Sequence, residues 1–376
     1  MRKRLVWFRV IVLSVFSSLY FYFTLSLTGA FFALPISLWI LLIMALVLFP
    51  PLYFWTTPNR GEQRFEIAVQ ILCNWAQGYF SYLLTLIVLR DLLGFGFRIE
   101  ISPWWPIFLP LALQTLGQFP LWFGPFLIET QIPTNNLPKD LEGFKIVQIS
   151  DLHIGPGVRQ KYVEKVVAMV NAQSPDIVVL TGDIVDHLDK WFGAEINLLA
   201  KLRGKYGVYY IPGNHEYYWG YAPTAKKLSN LGLHVFDNDS KVIAVGGAQI
   251  GIAGVVDYAA RMFDLPGPDA RRAAQGLPAS AYKILLAHQP KIADEAATLG
   301  FDLQLSGHTH AGQFVPWSLI IGLFQKYSKG LYRIGTMNLY VNQGTGFWGP
   351  KDRLGTKPEI SVLRLAPSAK QNNFKS

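Results

Sequence analysis

The chain has 376 residues, a formal net charge of +9, 51% hydrophobic and 14% aromatic residues, and only 16% charged residues. That is long enough for two domains and falls below the roughly one-quarter charged content usual in soluble domains. A single cysteine, Cys73, excludes an intrachain disulfide and fits a reducing compartment. No basic stripe with interleaved aromatics is present, so no nucleic acid is expected as a partner. The positive balance suits an anionic membrane surface or phosphate-bearing substrates.

The apolar residues crowd the N-terminal third. No Asp, Glu, Lys or Arg occurs between Arg9 and Arg60. Lipid tolerates no unpaired backbone, so such a stretch must be helical if it spans, and a span needs about 20 apolar residues. Residues 5–27 and 31–55 each suffice, with Thr28-Gly29 as a tight turn between them. Residues 67–89 are a third candidate; Gln70, Asn74 and Gln77 share one of its faces, as a polar seam joining helices or as a ligand or ion path. Residues 104–128 are the fourth. Pro106, Pro110 and Pro120 are expected to kink it, with Trp104, Trp105 and Trp122 at the interfacial belt.

A cleaved signal peptide is the rival for the first span. Its apolar stretch, however, overruns an h-region of about 7–15 residues and continues into a second span. Arg2, Lys3, Arg4 and Arg9 favour a cytoplasmic N-terminus, and four spans return the chain to that side. Arg60 and Arg64 agree; Arg90 and Arg98, read as lying in the next loop, argue mildly against. The expectation is a multi-pass protein of the cell (inner) membrane with its C-terminal domain in the cytoplasm. Its parts are a transmembrane helical region (1–128), a linker (129–143), a soluble domain (144–366) and a polar tail (367–376).

In the soluble domain, the β-branched run 145–149 reads as a buried strand that ends at Asp151-Leu152-His153. In extended backbone, i and i+2 share a face, so one metal ion can take both side chains. Gly155-Pro156-Gly157 turns the chain, and residues 158–172 show helical periodicity until Pro175. Strand 177–180 leads to Thr181-Gly182-Asp183, a helix at about 191–203 follows, and strand 208–211 leads to Gly213-Asn214-His215-Glu216. After a helix at 223–231 come β pieces at 234–236, 241–245 and 249–252. Strand 284–286 leads to Ala287-His288-Gln289, strand 303–305 to Ser306-Gly307-His308-Thr309-His310, and strand 359–365 closes the domain. This succession implies a mainly parallel sheet packed on a second, more mixed one. Functional groups gather past the carboxyl ends of such strands, and five of the seven histidines sit there.

The order D-x-H, G-D, G-N-H-E, H, G-H-x-H resembles that of the calcineurin-like metallophosphoesterases over about residues 144–365. The run Tyr340-Val341-Asn342-Gln343-Gly344-Thr345-Gly346, continued at Pro358-Glu359-Ile360, resembles the ending of the branch with an N-terminal multi-span region. The resemblance implies an α/β fold, a four-layer α/β/β/α sandwich, preceded by an all-α transmembrane region of about four helices. It implies two divalent metal ions, Mn, Fe or Zn. Asp151, His153 and His310 resemble the ligands of the first ion, and Asn214, His288 and His308 those of the second. Asp183 resembles the bridging carboxylate. His215 resembles the residue that stays off the metals and contacts the phosphate or leaving group, so that His215, Asp183 and Asn214 carry the catalysis.

The chemistry suits those residue types. Water is a poor nucleophile toward an anionic phosphorus, and two cations about 3.5–4 Å apart activate it and clamp the phosphoryl oxygens. Imidazole, carboxylate and amide oxygen suit several metals. Singly, each residue has a plainer reading: Asp183 as a helix N-cap, Asn214 as a turn residue, His288 as a hydrogen-bonded core histidine, His308 and His310 as a surface pair. Their joint occurrence in order outweighs these. Glu216 either orients a histidine or opens a helix as an exposed acid. Asp186 reads as solvated, and His187 and His234 as surface or turn residues.

The function expected is a membrane-anchored, dinuclear metal-dependent phosphoesterase acting on phosphodiester or pyrophosphate bonds. The membrane region points to a lipid or lipid-linked substrate. A UDP-2,3-diacylglucosamine pyrophosphatase-like step of lipid A synthesis is a specific alternative by resemblance, and a tethered enzyme with a soluble substrate is another. A non-catalytic metal-binding scaffold or sensor is the rival of a different class, against which the fully occupied motif set speaks. Residues 315–324 read either as cover for the second sheet or as an apolar wall meeting acyl chains. Trp317, Phe324 and Arg261 are the candidate substrate contacts, with Lys326, Lys329 and Arg333 toward anionic headgroups.

Overall fold

The computed structural model describes residues 2–28, 35–50, 52, 64–98, 100–187 and 189–368. The chain divides into two compact units, Met1–Phe119 with Gly349–Leu354, and Pro120–Trp348 with Gly355–Ser376.

The first unit is helical: α1 (Arg2–Thr28), α2 (Ile36–Phe49), α3 (Arg64–Phe97) and α4 (Trp105–Leu116). Phe23 and Leu27 of α1, Ile40 and Met44 of α2, and Tyr79, Leu83 and Ile87 of α3 form its core. Ile11, Leu38, Leu41, Ile71 and Leu92 are nevertheless exposed. Helices apolar on all sides suit an apolar surrounding. Among the described residues, two helices are long and apolar enough to cross a membrane, Val10–Thr28 and Phe65–Phe97. Part of the expected second span, and the Gly29 of its turn, lie outside the described residues; α2 itself has 14 residues. Gln70, Asn74 and Gln77 are half-buried on α3.

Three expectations for this region are corrected. The fourth span is not one helix: α4 stops at Gly117, α5 (Phe119–Phe123) has five residues, and β1 (Phe126–Thr134) follows. Its apolar residues serve a short helix and then a strand, which a hydropathy window does not separate. Arg90 lies inside α3, not in a loop. It pairs with Asp91 at 2.6 Å and donates to Ser26 O at 2.7 Å, while Asp91 accepts from Ser26 Oγ (2.6 Å) and Tyr22 OH (2.8 Å). A charge among apolar helices is held by such partners, so it reports pairing and not sidedness. Residues 349–354, read as part of the soluble domain, belong to the helical unit, where Tyr82 OH donates to Asp352 Oδ2 (2.8 Å) and Arg353 N–H to Gly117 O (2.8 Å).

The second unit holds two six-stranded sheets. Besides β1, the strands are β2 (Lys145–Ile149), β3 (Ile177–Thr181), β4 (Val208–Ile211), β5 (His234–Val235), β6 (Asp239–Val245), β7 (Ala248–Gly254), β8 (Tyr282–Leu286), β9 (Leu303–Ser306), β10 (Gly330–Ile334), β11 (Met337–Val341) and β12 (Glu359–Pro367). The orders are β1-β12-β2-β3-β4-β5 and β10-β11-β9-β8-β7-β6. In the first sheet only β12–β2 is antiparallel. In the second, β11-β9-β8-β7 run parallel between two antiparallel edge pairs.

The first part of the expected linker, residues 129–134, is therefore strand: β1 pairs with β12 from Phe126↔Glu359 to Thr134↔Pro367. An edge strand keeps one polar face and tolerates proline, so Glu129, Gln131 and Pro133 face outward and disguised the element as a linker. Of the expected polar tail, Pro367 ends β12 and residues 369–376 lie outside the described ones.

The facing sides of the sheets form one core, with Ile146, Val179 and Ile211 against Ile252, Ile284 and Leu305, all fully buried. Each such side chain is worth roughly 1.5–3 kcal/mol. Helices α6 (Gln160–Ala172), α7 (Asp189–Asn197), α8 (Asn214–Trp219) and α9 (Tyr221–Asn230) follow strands of the first sheet. Small residues of α10 (Ala270–Ala274) and α11 (Ala293–Thr298) pack on Leu285, Leu339 and Val341 of the second. The last helix, α12 (Trp317–Phe324), follows the final histidine motif.

Candidate metal centre

β2, β3 and β4 run parallel, so their carboxyl ends share one edge of the first sheet; β8 and β9 do the same in the second. The residues just past these five ends converge. The turn that aims them inward is unusual: Asp151 (φ 51°), His153 (54°), Asp183 (51°), His308 (71°) and His310 (49°) are all left-handed. Non-glycine residues adopt this region rarely, at a cost on the order of 1–3 kcal/mol each, and do so mainly at functional sites. Two glycines permit the close approach. A Cβ on Gly182 (φ +88°) would lie 2.7 Å from both Gly213 N and His288 Nδ1, and one on Gly307 would collide with Ser150 Oγ and Asp151 Oδ2.

Two groups result. Asp151, His153 and His310 offer one atom each within 4.8 Å of one another, and so do Asp183, His288 and His308. In the first, His153 Nε2 lies 3.0 Å from His310 Nε2, which is 3.2 Å from Asp151 Oδ1. In the second, His288 Nε2 lies 3.1 Å from Asp183 Oδ2 and 3.2 Å from Asn214 Oδ1. The far nitrogens are held from behind. His288 Nδ1 donates to Thr181 O at 2.8 Å, and His153 Nδ1 meets Asp186 Oδ1 at 2.8 Å. A carbonyl only accepts, so Nδ1 of His288 carries a proton and is held from behind while Nε2 faces Asp183 and Asn214, as in a backed metal ligand. The donor set, imidazole with carboxylate and one amide oxygen, fits a divalent metal ion.

Electrostatics tie the groups together. Burial would raise the carboxyls of Asp151 and Asp183. The imidazoles around them, His310 foremost for Asp151 and His288 foremost for Asp183, hold both well below the usual carboxylate range. His153 acts on both carboxylates, so the groups are electrostatic neighbours. Burial and His288 push His308 down to about 4. Burial would also lower His215, but Asp186 and Asp183 outweigh it and raise its pKa to about 9.

His215 stands beside the groups, its Nε2 4.0 Å from Asp183 Oδ2 and its Nδ1 2.6 Å from Asp186 Oδ1. The latter is an ion-pair contact off the line of a hydrogen bond. Asp186 thus serves His153 and His215 together, and the solvated reading of it is wrong. Glu216 is fully buried. Its carboxylate accepts from the backbone N–H of Gly213 (2.7 Å), Asp183 (3.0 Å), Ile184 (2.7 Å) and Val185 (3.0 Å). Glu216 is therefore not an exposed acid: it orders the backbone of two ligand loops. The signal was present: an acid at the third helical position of G-N-H-E is half of a capping box, and that half is made, the Gly213 N–H donating to Glu216 Oε2. For Asp186 no local pattern gave a signal. His187 is also buried, against Phe192 and Trp219, not a surface residue.

The three candidate substrate contacts are placed less tightly. Arg261 lies in the 3-10 turn Tyr258–Phe263 with its guanidinium 5.8 Å from the Tyr258 ring centroid. Trp317 and Phe324 lie on α12, none of whose residues is buried, so the reading of 315–324 as core cover fails for that helix. Lys326 pairs with Asp294 at 2.7 Å, and Arg333 donates to Gly335 O at 3.1 Å.

Carboxylates and imidazoles that converge from the strand ends of two facing sheets define the class of metal-dependent phosphoester hydrolases. Residues 144–312 match the family model of the calcineurin-like phosphoesterases. The chain is 39% identical over 264 residues to an uncharacterized metallophosphoesterase of Helicobacter pylori, over 68% of this chain and 69% of that one. It is 34% identical to an uncharacterized metallophosphoesterase of Bacillus subtilis (65% and 87% covered). A Bos taurus protein named a transmembrane protein with metallophosphoesterase domain is 32% identical (72% and 64% covered). The chain belongs to the calcineurin-like phosphoesterase family and is a metal-dependent phosphoester hydrolase.

Proposed function

We propose that this protein is a membrane-anchored, two-metal phosphoesterase that cleaves phosphodiester or pyrophosphate bonds of a lipid or lipid-linked substrate, its catalytic unit on the cytoplasmic side of the inner membrane. The observation that carries the hydrolytic part is the pair of adjacent groups, each with one carboxylate and two imidazoles. Asp151, His153 and His310 would hold one divalent ion, and Asn214, His288 and His308 the other, with Asp183 shared. When bound, the ions polarise the phosphoryl group and lower the pKa of the attacking water.

The chain's own residues supply the rest. Asp186 holds His153 and His215 in register, and Glu216 fixes the backbone that carries Asp183 and Asn214. His215, whose charged form the neighbouring Asp186 favours and whose Nε2 is turned toward the pocket, gives its proton to the leaving oxygen. The bond from phosphorus to that oxygen breaks as the bond from water oxygen to phosphorus forms, and the proton lost by water returns to solvent. The lipid part of the reading is supported by α12, where Leu319, Leu323 and Phe324 are largely exposed shortly after His310. A pyrophosphate-linked lipid such as UDP-2,3-diacylglucosamine is one member of this class. The test is hydrolysis by purified, chelator-stripped protein with manganese, iron or zinc restored. Assays cover bis(p-nitrophenyl) phosphate, lipid phosphodiesters and nucleoside diphosphate lipids. Metal-dependent turnover preferring a lipid is expected; metal-independent turnover, or none, would overturn the reading.

A further inference from the structure

His215 is flanked by two aromatic rings. Tyr218, on the same helix α8, has its ring centroid 5.5 Å from that of His215, tilted by 58°. Trp348 lies 5.6 Å away, edge-on at 76°. Tyr218 is 50% exposed and Trp348 40% exposed, whereas the adjacent Tyr217 is 4% exposed and packs with Val256, Ala259 and Ala260. Phe263, 45% exposed, continues the aromatic rim with its ring 6.5 Å from Tyr218.

Trp348 is held in place. Gln313 Nε2 donates to Trp348 O at 2.9 Å, and Trp348 N–H donates to Gln313 Oε1 at 2.9 Å. Gln313 is buried and left-handed (φ 62°), three residues after His310. One amide side chain thus pins both backbone groups of the tryptophan and fixes it to the loop that carries the last two histidines. A large aromatic ring left half open to water, with its backbone secured on both sides, is a surface prepared for contact.

We propose that Tyr218 and Trp348, extended by Phe263, form a specificity-determining cleft that receives the apolar organic group attached to the leaving oxygen, with Gln313 as its positioning residue. The inference rests on the assignment of His215 to the leaving oxygen. Aromatic walls stack on flat rings and cover alkyl chains alike, so the shared chemistry is an apolar leaving alcohol, aryl or long-chain.

The test compares methyl phosphodiesters whose leaving alcohols are p-nitrophenol, difluorododecanol and trifluoroethanol, with full-length protein and manganese. Trp348→Ala and Tyr218→Ala are expected to raise KM for an apolar leaving group about tenfold relative to the trifluoroethyl ester, the effect of losing one aromatic contact. Trp348→Phe should recover most of the loss. Gln313→Ala should reproduce the KM pattern of Trp348→Ala with metal content retained, which a general loss of folding would not do. A loss confined to the aryl ester identifies a flat leaving group, one confined to the alkyl ester a chain; both support the cleft. Equal changes on all three esters, or unchanged KM on all three, overturn it. Absence of wild-type turnover on every ester would instead overturn the phosphodiester reading, and the cleft with it.

Discussion

The two groups at the centre carry the same kinds of ligand on different supports. In the first, Asp151, His153 and His310 are all buried. Both oxygens of Asp151 accept from the His308 N–H at 3.0 Å, Ser150 Oγ donates to one of them at 2.5 Å, and a carboxylate backs His153. In the second, His308 is half-buried, a neutral carbonyl backs His288, and the loop under Asp183 and Asn214 hangs on Glu216. A charged partner behind an imidazole raises its basicity and fixes its orientation. The lesson is that position in sequence sets which residues meet, while the atoms behind them set how firmly each group is prepared.

The comparison is broken most severely at the shared residue. On the proposed reading Asp183→Ala removes an anion from both groups, so activity should vanish together with most bound metal; two metals per chain by elemental analysis would show that Asp183 does not join the groups. His215→Ala comes next. It should cost on the order of 100-fold in kcat, the range for one general acid–base group, with both metals retained. Metal lost in proportion to activity would make His215 a ligand.

Two changes then sharpen the contrast, each weighted toward one group. Asp186→Asn removes the charge behind His153 and should weaken metal binding about 10–100-fold, selectively at the first group. Glu216→Ala strands backbone donors at a cost of about 1–3 kcal/mol each. It should lower Tm and release the second group's metal first. Stepwise chelation, followed by metal content in each variant, distinguishes the two; the same release order in both would erase the difference drawn here.

The smallest effect on stability is expected at α12. Replacing the exposed Trp317 and Phe324 with Ser should leave stability within about 0.5 kcal/mol and raise the ratio of KM for a lipid to KM for a soluble diester about tenfold. An unchanged ratio would remove α12 from the substrate path.

By itself the sequence determined the strand ends and what hangs from them. Asp151, His153, Asp183, Asn214, His215, His288, His308 and His310 each follow a short apolar run, and parallel strands deliver such positions to one edge. That pattern is local, so it survives in one dimension. Wherever a residue's partner is remote in the chain, the tertiary structure decided. β1 looked like a linker because its polar face is the outer face of an edge strand, and only pairing with β12, more than 200 residues on, makes it a strand. Arg90 looked like a loop charge until Ser26 and Asp91 enclosed it, and 349–354 looked like catalytic domain until Tyr82 claimed Asp352. Asp186 looked solvated because the histidines that bury its charge lie 33 residues before and 29 after it. A buried charge is tolerated only where its partners already stand, and which partners stand there is a property of the fold.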